Sequence, residues 1–167
     1  MTGVPALQKQ FRTDSPAETL ELGVQLGRQL GIGACIDLRG ELGAGKTQLV
    51  RGIACGLGVA ERIRSPTFTI CHVHIGRIPL YHFDAYRIGD PSELLLQGWD
   101  EMRESGVVAV EWGQRLLDLL PHDRLVVEIE HCAATIRIVS ARATGERSAA
   151  WLSSWEQSAS SQKIKEE

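Results

Sequence analysis

The chain has 167 residues, 43% of them hydrophobic, and a formal charge of −3 with a pI near 6.0. That length suits one α/β domain with a real core and leaves no room for two comfortable ones. Phosphate neutralisation needs clustered Lys and Arg, so this balance gives no footprint for independent nucleic-acid binding, and no apolar run approaches a signal peptide or the ~20 residues of a bilayer span.

In chain order, Ser15-Pro16-Ala17-Glu18 combines a cap residue, a proline at the first helical position and a glutamate at the third, so a helix is expected to about residue 30. Ala34, Ile36 and Leu38 alternate with Cys35, Asp37 and Arg39 as in a strand, although Asp37 and Arg39 suggest one not buried on both faces. Leu49, Val50, Ile53, Ala54 and Leu57 recur at helical spacing before Gly58. Residues 67–75 are rich in β-branched and aromatic side chains, and Gly76-Arg77 turns them into an antiparallel partner over 78–83. Asp90-Pro91-Ser92-Glu93 opens a short helix, and 107–110 is a continuous apolar run read as a central buried strand ending on Glu111-Trp112. A short helix over 114–120 follows, then strands at 125–129 and 135–139 whose short connection requires antiparallel pairing. Residues 148–155 read as helical, with Trp151 and Trp155 one turn apart as packing residues, and the Ser/Gln/Lys/Glu-rich stretch from 158 reads as a disordered tail. The expectation is an α/β fold, a three-layer sandwich like that of P-loop NTPases, with a mixed sheet of parallel core and antiparallel additions. One domain spans 1–157.

Four cysteines, Cys35, Cys55, Cys71 and Cys132, contain no CxxC pair, which fits a reduced, cytoplasmic compartment. Cys71, His72 and His74 cluster in sequence, but strand alternation divides them between two faces, so they are read as ordinary strand residues.

The residues Gly40-Glu41-Leu42-Gly43-Ala44-Gly45-Lys46-Thr47 fit GxxxxGK(S/T) between a strand and a helix. Glycines open backbone angles that let successive amides, from Gly43 through Ala44, Gly45, Lys46, Thr47 and Gln48, turn toward phosphate oxygens at a helix N-terminus. Lys46 would reach the β/γ-phosphates and Thr47 would supply a hydroxyl to Mg²⁺. An ATP-dependent reaction also needs acids. Glu111 closes the most hydrophobic run and Asp84 follows Tyr81-His82-Phe83, both at strand ends where side chains emerge beside the loop. Lys46, Asp84 and Glu111 form the catalytic set, and spacing leaves open which acid ligates Mg²⁺ and which handles water. Ser65-Pro66-Thr67, on the connection after the loop helix, is either a switch-like segment whose hydroxyls meet the γ-phosphate or a proline-set start of the next strand. Trp112 either lines the pocket or packs in the core.

In order, the loop with Arg51-Gly52, Ser65-Pro66-Thr67-Phe68-Thr69, His82-Phe83-Asp84-Ala85-Tyr86-Arg87 and Glu111-Trp112 resemble the bacterial TsaE (YjeE) ATPases over residues 19–139. The resemblance implies an ATPase, weak alone, that works with TsaB and TsaD in the threonylcarbamoyl modification of adenosine 37 of tRNA, touching tRNA through that complex. It implies that Lys46 binds phosphate, Thr47 and Glu111 hold Mg²⁺, Asp84 serves hydrolysis, Ser65 and Thr67 belong to a switch segment, and Trp112 borders the nucleotide. It also implies that Ser15, Thr19 and Arg137 lie near base or ribose. Departures are Gln48 in place of a second hydroxyl, Ala85 in place of leucine, and Cys71-His72-Val73-His74 where glutamate and tyrosine are common. Two competing readings remain, an ATP-gated assembly module without turnover and a small-molecule kinase. The kinase would need an Arg-rich lid, and no such insertion lies between Asp84 and Val107.

Overall fold

The computed structural model describes residues 6–63 and 70–166. Its elements in order are β1 (Gln8–Thr13), α1 (Pro16–Gln29), β2 (Cys35–Arg39), α2 (Lys46–Gly56), β3 (Cys71–His74), β4 (Leu80–Asp84), α3 (Ser92–Leu96), α4 (Trp99–Ser105), β5 (Val107–Glu111), β6 (Leu125–His131), β7 (Arg137–Ala143) and α5 (Glu146–Glu166). Helix α1 starts where its sequence says: the Ser15 hydroxyl accepts the Glu18 amide at 3.1 Å, and the Glu18 carboxylate reaches back to the Asp14 amide at 2.7 Å.

The seven strands form one sheet in the order β1-β7-β6-β2-β5-β4-β3. The run β6-β2-β5-β4 is parallel, while β1, β7 and β3 are added antiparallel. Register matters for function. Leu38 of β2 pairs with Glu111 of β5, which pairs with Asp84 of β4, so the end of β2, where the Gly-rich loop begins, lies in one row with both acids. No local signal contains that row.

Two apolar layers sandwich the sheet. On one side Leu22, Leu26, Leu49, Ile53, Leu152 and Trp155 from α1, α2 and α5 pack on Ile36, Leu38, Val127 and Val139. On the other, Ala85, Ile88, Leu94, Trp99 and Leu116 cover Phe83, Val108 and Val110. Helices α1 and α2 meet at backbone distance: a Cβ on Gly23 would stand 2.3 Å from the Leu49 carbonyl oxygen, and one on Gly52 2.0 Å from that of Leu20. This contact brings the start of α1 beside the start of α2.

Several expectations need correction. Asp37 is fully buried, so β2 is covered on both faces after all; Arg39 at 2.9 Å and Arg124 at 3.1 Å neutralise the carboxylate. The helix expected over 114–120 is a single 3-10 turn, Gly113–Leu116, followed by turns. Residues 158–166 continue α5 instead of forming a disordered tail. Leu152 and Trp155 are buried, Ala159 packs on the same cluster, and Gln29 Nε2 donates to Ser158 Oγ, so a helix already nucleated extends at little further cost. Strand β1 and helix α4 were not anticipated, and β3 is shorter than the segment expected over 67–75, of which 67–69 lies outside the described residues. No helix among the described residues is long and apolar enough to cross a membrane.

Candidate functional site

The loop between β2 and α2 takes the backbone course its glycines permit, with Gly43 at φ 77° and Gly45 at φ 113°. Gly45 is the N-cap of α2 and offers no side-chain cap, so the first amides of the helix are left for an external acceptor. Lys46 is 5% exposed, and its ammonium donates to the Gly40 carbonyl at 2.5 Å and the Glu41 carbonyl at 2.9 Å. It also sits 4.6 Å from the centre of the Trp112 ring. Burial lowers its pKa, against the raising pull of Glu111, Asp84 and Glu41. The loop's own carbonyls thus hold the lysine across the loop.

Glu111 is 5% exposed and accepts two hydrogen bonds on Oε1, from the Thr47 hydroxyl at 3.1 Å and from His82 Nε2 at 2.8 Å. Beside it, Asp84 caps a 3-10 turn by accepting the Tyr86 amide at 3.1 Å, with Arg87 3.8 Å away. Burial pushes the Asp84 carboxyl above its ordinary pKa, the Tyr86 amide works the other way, and Glu111 adds like-charge repulsion. The two acids stand paired in one strand row, and among the described residues Lys46 and Arg87 lie near them.

The turn after β5 is tight. Trp112 has φ 60°, the only positive φ of a non-glycine among the described residues, and its amide bonds the Leu38 carbonyl at 2.9 Å. A Cβ on Gly113 would lie 2.1 Å from Asp37 Oδ1, so the chain passes directly over the buried ion cluster and throws the indole sideways over Lys46. Holding a tryptophan there costs about 1 kcal/mol or more, consistent with a residue placed for a site. Tyr86 lies against the indole with ring centres 5.3 Å apart, and Arg115 donates to the Tyr86 carbonyl at 2.8 Å.

These groups line a cleft of about 500 Å³ that includes Gly43, Gly45, Lys46, Thr47, Gln48, Asp84, Glu111 and Trp112, together with Tyr86 and Arg87. That volume falls within the ~300–1,000 Å³ of small-ligand sites. Of the other residues singled out in the sequence, Ala44 does not line the cleft; its carbonyl accepts Arg137 Nε at 2.8 Å, so Arg137 braces the loop. Ser15 and Thr19 do not line it either. Ser15 caps α1, and the Thr19 hydroxyl bonds Thr13 at 2.7 Å while its methyl would lie 3.9 Å from a Cβ on Gly45. Gln48 ties α2 to α1 by donating to the Pro16 carbonyl at 3.1 Å. Ser65 and Thr67 lie outside the described residues. Sequence reasoning did not assign a role to His82; its position two residues before Asp84 was the available signal, because alternate residues of a strand share a face.

The donors suit a hard cation. Thr47, Glu111 and Asp84 supply oxygen only, and among the described residues no three His, Cys, Asp or Glu side chains form a closed metal cage. Mg²⁺ is the ion that binds this way, through one or two carboxylates while phosphate oxygens and water fill the rest.

The family profile described as "Threonylcarbamoyl adenosine biosynthesis protein TsaE" matches residues 13–139. The chain is similar to the tRNA threonylcarbamoyladenosine biosynthesis protein TsaE of Bacillus subtilis, 39% identical over 142 residues, covering 84% of this chain and 89% of the relative. It is also similar to the protein of that name from a Nostoc species, 44% identical over 119 residues, covering 68% and 72%. Among solved structures, YdiB of Bacillus subtilis superposes with a TM-score of 0.78 at 32% identity over 91% of this chain and 96% of that one.

Proposed function

The chain belongs to the TsaE family, and from that premise we propose that it binds ATP with Mg²⁺ on the loop of residues 40–47 and hydrolyses it in tRNA threonylcarbamoyladenosine biosynthesis, working with TsaB and TsaD. The observation that carries the reading is the strand row that sets Glu111 and Asp84 beside Thr47 at the uncapped start of α2.

Each residue then has a task. The amides of the loop and the α2 N-terminus hold the phosphates, and Lys46 exchanges its Gly40 and Glu41 carbonyls for phosphate oxygens. Thr47 and Glu111 would hold Mg²⁺, which would supply neutralisation of phosphate charge there. Asp84 orients the attacking water and takes a share of its proton; a carboxyl raised by burial is better matched to that role than an ordinary one. Trp112 walls the cleft and keeps water from Lys46.

Phosphate release from ATP, measured by malachite green with and without TsaB and TsaD, tests the reading. The expected result is slow turnover by the isolated chain and faster turnover in the mixture. ATP binding with no turnover in either case would replace hydrolysis by an ATP-gated assembly role, and failure to bind ATP would overturn both.

A further inference from the structure

His82 is fully buried on β4, beneath the cleft, and its side chain leaves the sheet on the same face as Asp84. Its backbone pairs with Ala109, which places it diagonally across from Glu111, near enough for Nε2 to stand 2.8 Å from Glu111 Oε1. A carboxylate only accepts, so the proton in that bond belongs to Nε2. The other ring nitrogen, Nδ1, is buried and has no hydrogen-bond partner among the described residues. A leucine or phenylalanine would fill the same space without stranding a polar atom, so the ring's use lies in the one bond it makes.

That bond has a directional consequence. Thr47 and His82 both bond Oε1 of Glu111, one from the loop helix and one from the neighbouring strand, and together they fix the carboxylate's rotation. Were the Thr47 hydroxyl engaged by a cation, the His82 bond would still hold Glu111 in place. We propose that His82 is a positioning residue that holds the Glu111 carboxylate ready for a nucleotide-bound divalent cation, and so sets the Mg²⁺ requirement of nucleotide binding without contributing to the nucleotide's own affinity. This rests on the reading that Glu111 and Thr47 hold Mg²⁺. Groups that orient metal ligands from behind typically change metal affinity by roughly 10–100-fold when removed.

Calorimetric titration of the full chain with ADP at stepped MgCl₂ concentrations tests it, with circular dichroism to verify folding of each variant. For His82→Leu the half-saturating Mg²⁺ concentration is expected to rise about tenfold, while ADP affinity in EDTA stays within about twofold of wild type. His82→Gln, whose amide can donate from about the position of Nε2, is expected to restore the Mg²⁺ requirement to within about threefold. If the leucine variant does not fold, His82→Met takes its place. An unshifted Mg²⁺ requirement in the apolar variant, or a glutamine variant as impaired as the leucine one, overturns the positioning role. A wild type whose ADP affinity ignores Mg²⁺, or a Glu111→Gln variant with an unchanged Mg²⁺ requirement, instead overturns the metal reading beneath it.

Discussion

Replacing Gly52 by alanine adds one methyl group where the backbones of α1 and α2 touch. That Cβ would stand 2.0 Å from the Leu20 carbonyl oxygen, 2.8 Å from Gly23 Cα and 2.9 Å from the Val24 nitrogen. Ordinary contact begins at 3.4 Å, and all three obstacles are backbone, so no rotamer change relieves them and the helices must part by more than an ångström. Two effects oppose each other. Alanine is the better helix former by about 1 kcal/mol, whereas overpacking a well-filled interface costs typically ~1–3 kcal/mol and sits at the upper end when only backbone can yield. Parting the helices also loosens Leu26, Leu49 and Ile53, each fully buried in the core they share. The net expectation is a loss of about 2 kcal/mol, or roughly 4–8 °C in melting temperature for a chain of this size. Urea unfolding at 25 °C followed by circular dichroism measures it. Gly31→Ala is the control, because a Cβ there meets nothing within 4 Å, and its stability should match wild type or exceed it slightly. A Gly52→Ala protein as stable as wild type would refute the close-packing account.

Two further outcomes are expected. Lys46→Ala should weaken ATP binding roughly 100-fold, about 2.7 kcal/mol, with or without Mg²⁺, whereas Glu111→Ala should spare Mg²⁺-free binding and abolish the strengthening by Mg²⁺; calorimetry that finds equal losses would refute the division of roles. Asp123→Ala should destabilise the chain by about 1–2 kcal/mol at pH 7, because that carboxylate accepts the Arg147 amide at 2.9 Å and the Ser148 amide at 3.0 Å and so caps α5 from a distance. Burial alone would raise the Asp123 pKa, but the Ser148 hydroxyl and the two amides hold it below its ordinary value. A depressed carboxyl stabilises fully above its unfolded pKa, so the difference between wild type and variant should persist at neutral pH and shrink as pH falls through the ordinary aspartate range near ~3.9 and below. Urea titrations at pH 7 and pH 3 check this, and a gap that does not narrow would refute the carboxylate's role.

Much of the candidate site was legible because its signals are local. The Gly-rich loop is eight consecutive residues, the α1 cap is four, and strand ends announce themselves where an apolar run meets an acid, as at Val110-Glu111. What escaped was the pairing. Strand β1 reads as Gln-Lys-Gln-Phe-Arg-Thr and acquires its structure only by laddering onto β7. Asp37 looked like a surface residue because the two arginines that neutralise it include one 87 positions away.

The chain's own order of residues was thus enough to specify a Gly-rich loop between strand and helix, the candidate lysine and threonine that follow it, and two candidate acids, since each depends on neighbours within a few positions and on backbone sterics that act locally. It could not decide that Leu38, Glu111 and Asp84 share a row, that His82 stands behind Glu111, or that the Thr19 hydroxyl meets Thr13 of β1. Those facts are set by strand register and by helices meeting at their glycines. Both are contacts between segments tens of residues apart, settled only when the apolar faces of sheet and helices are buried against each other.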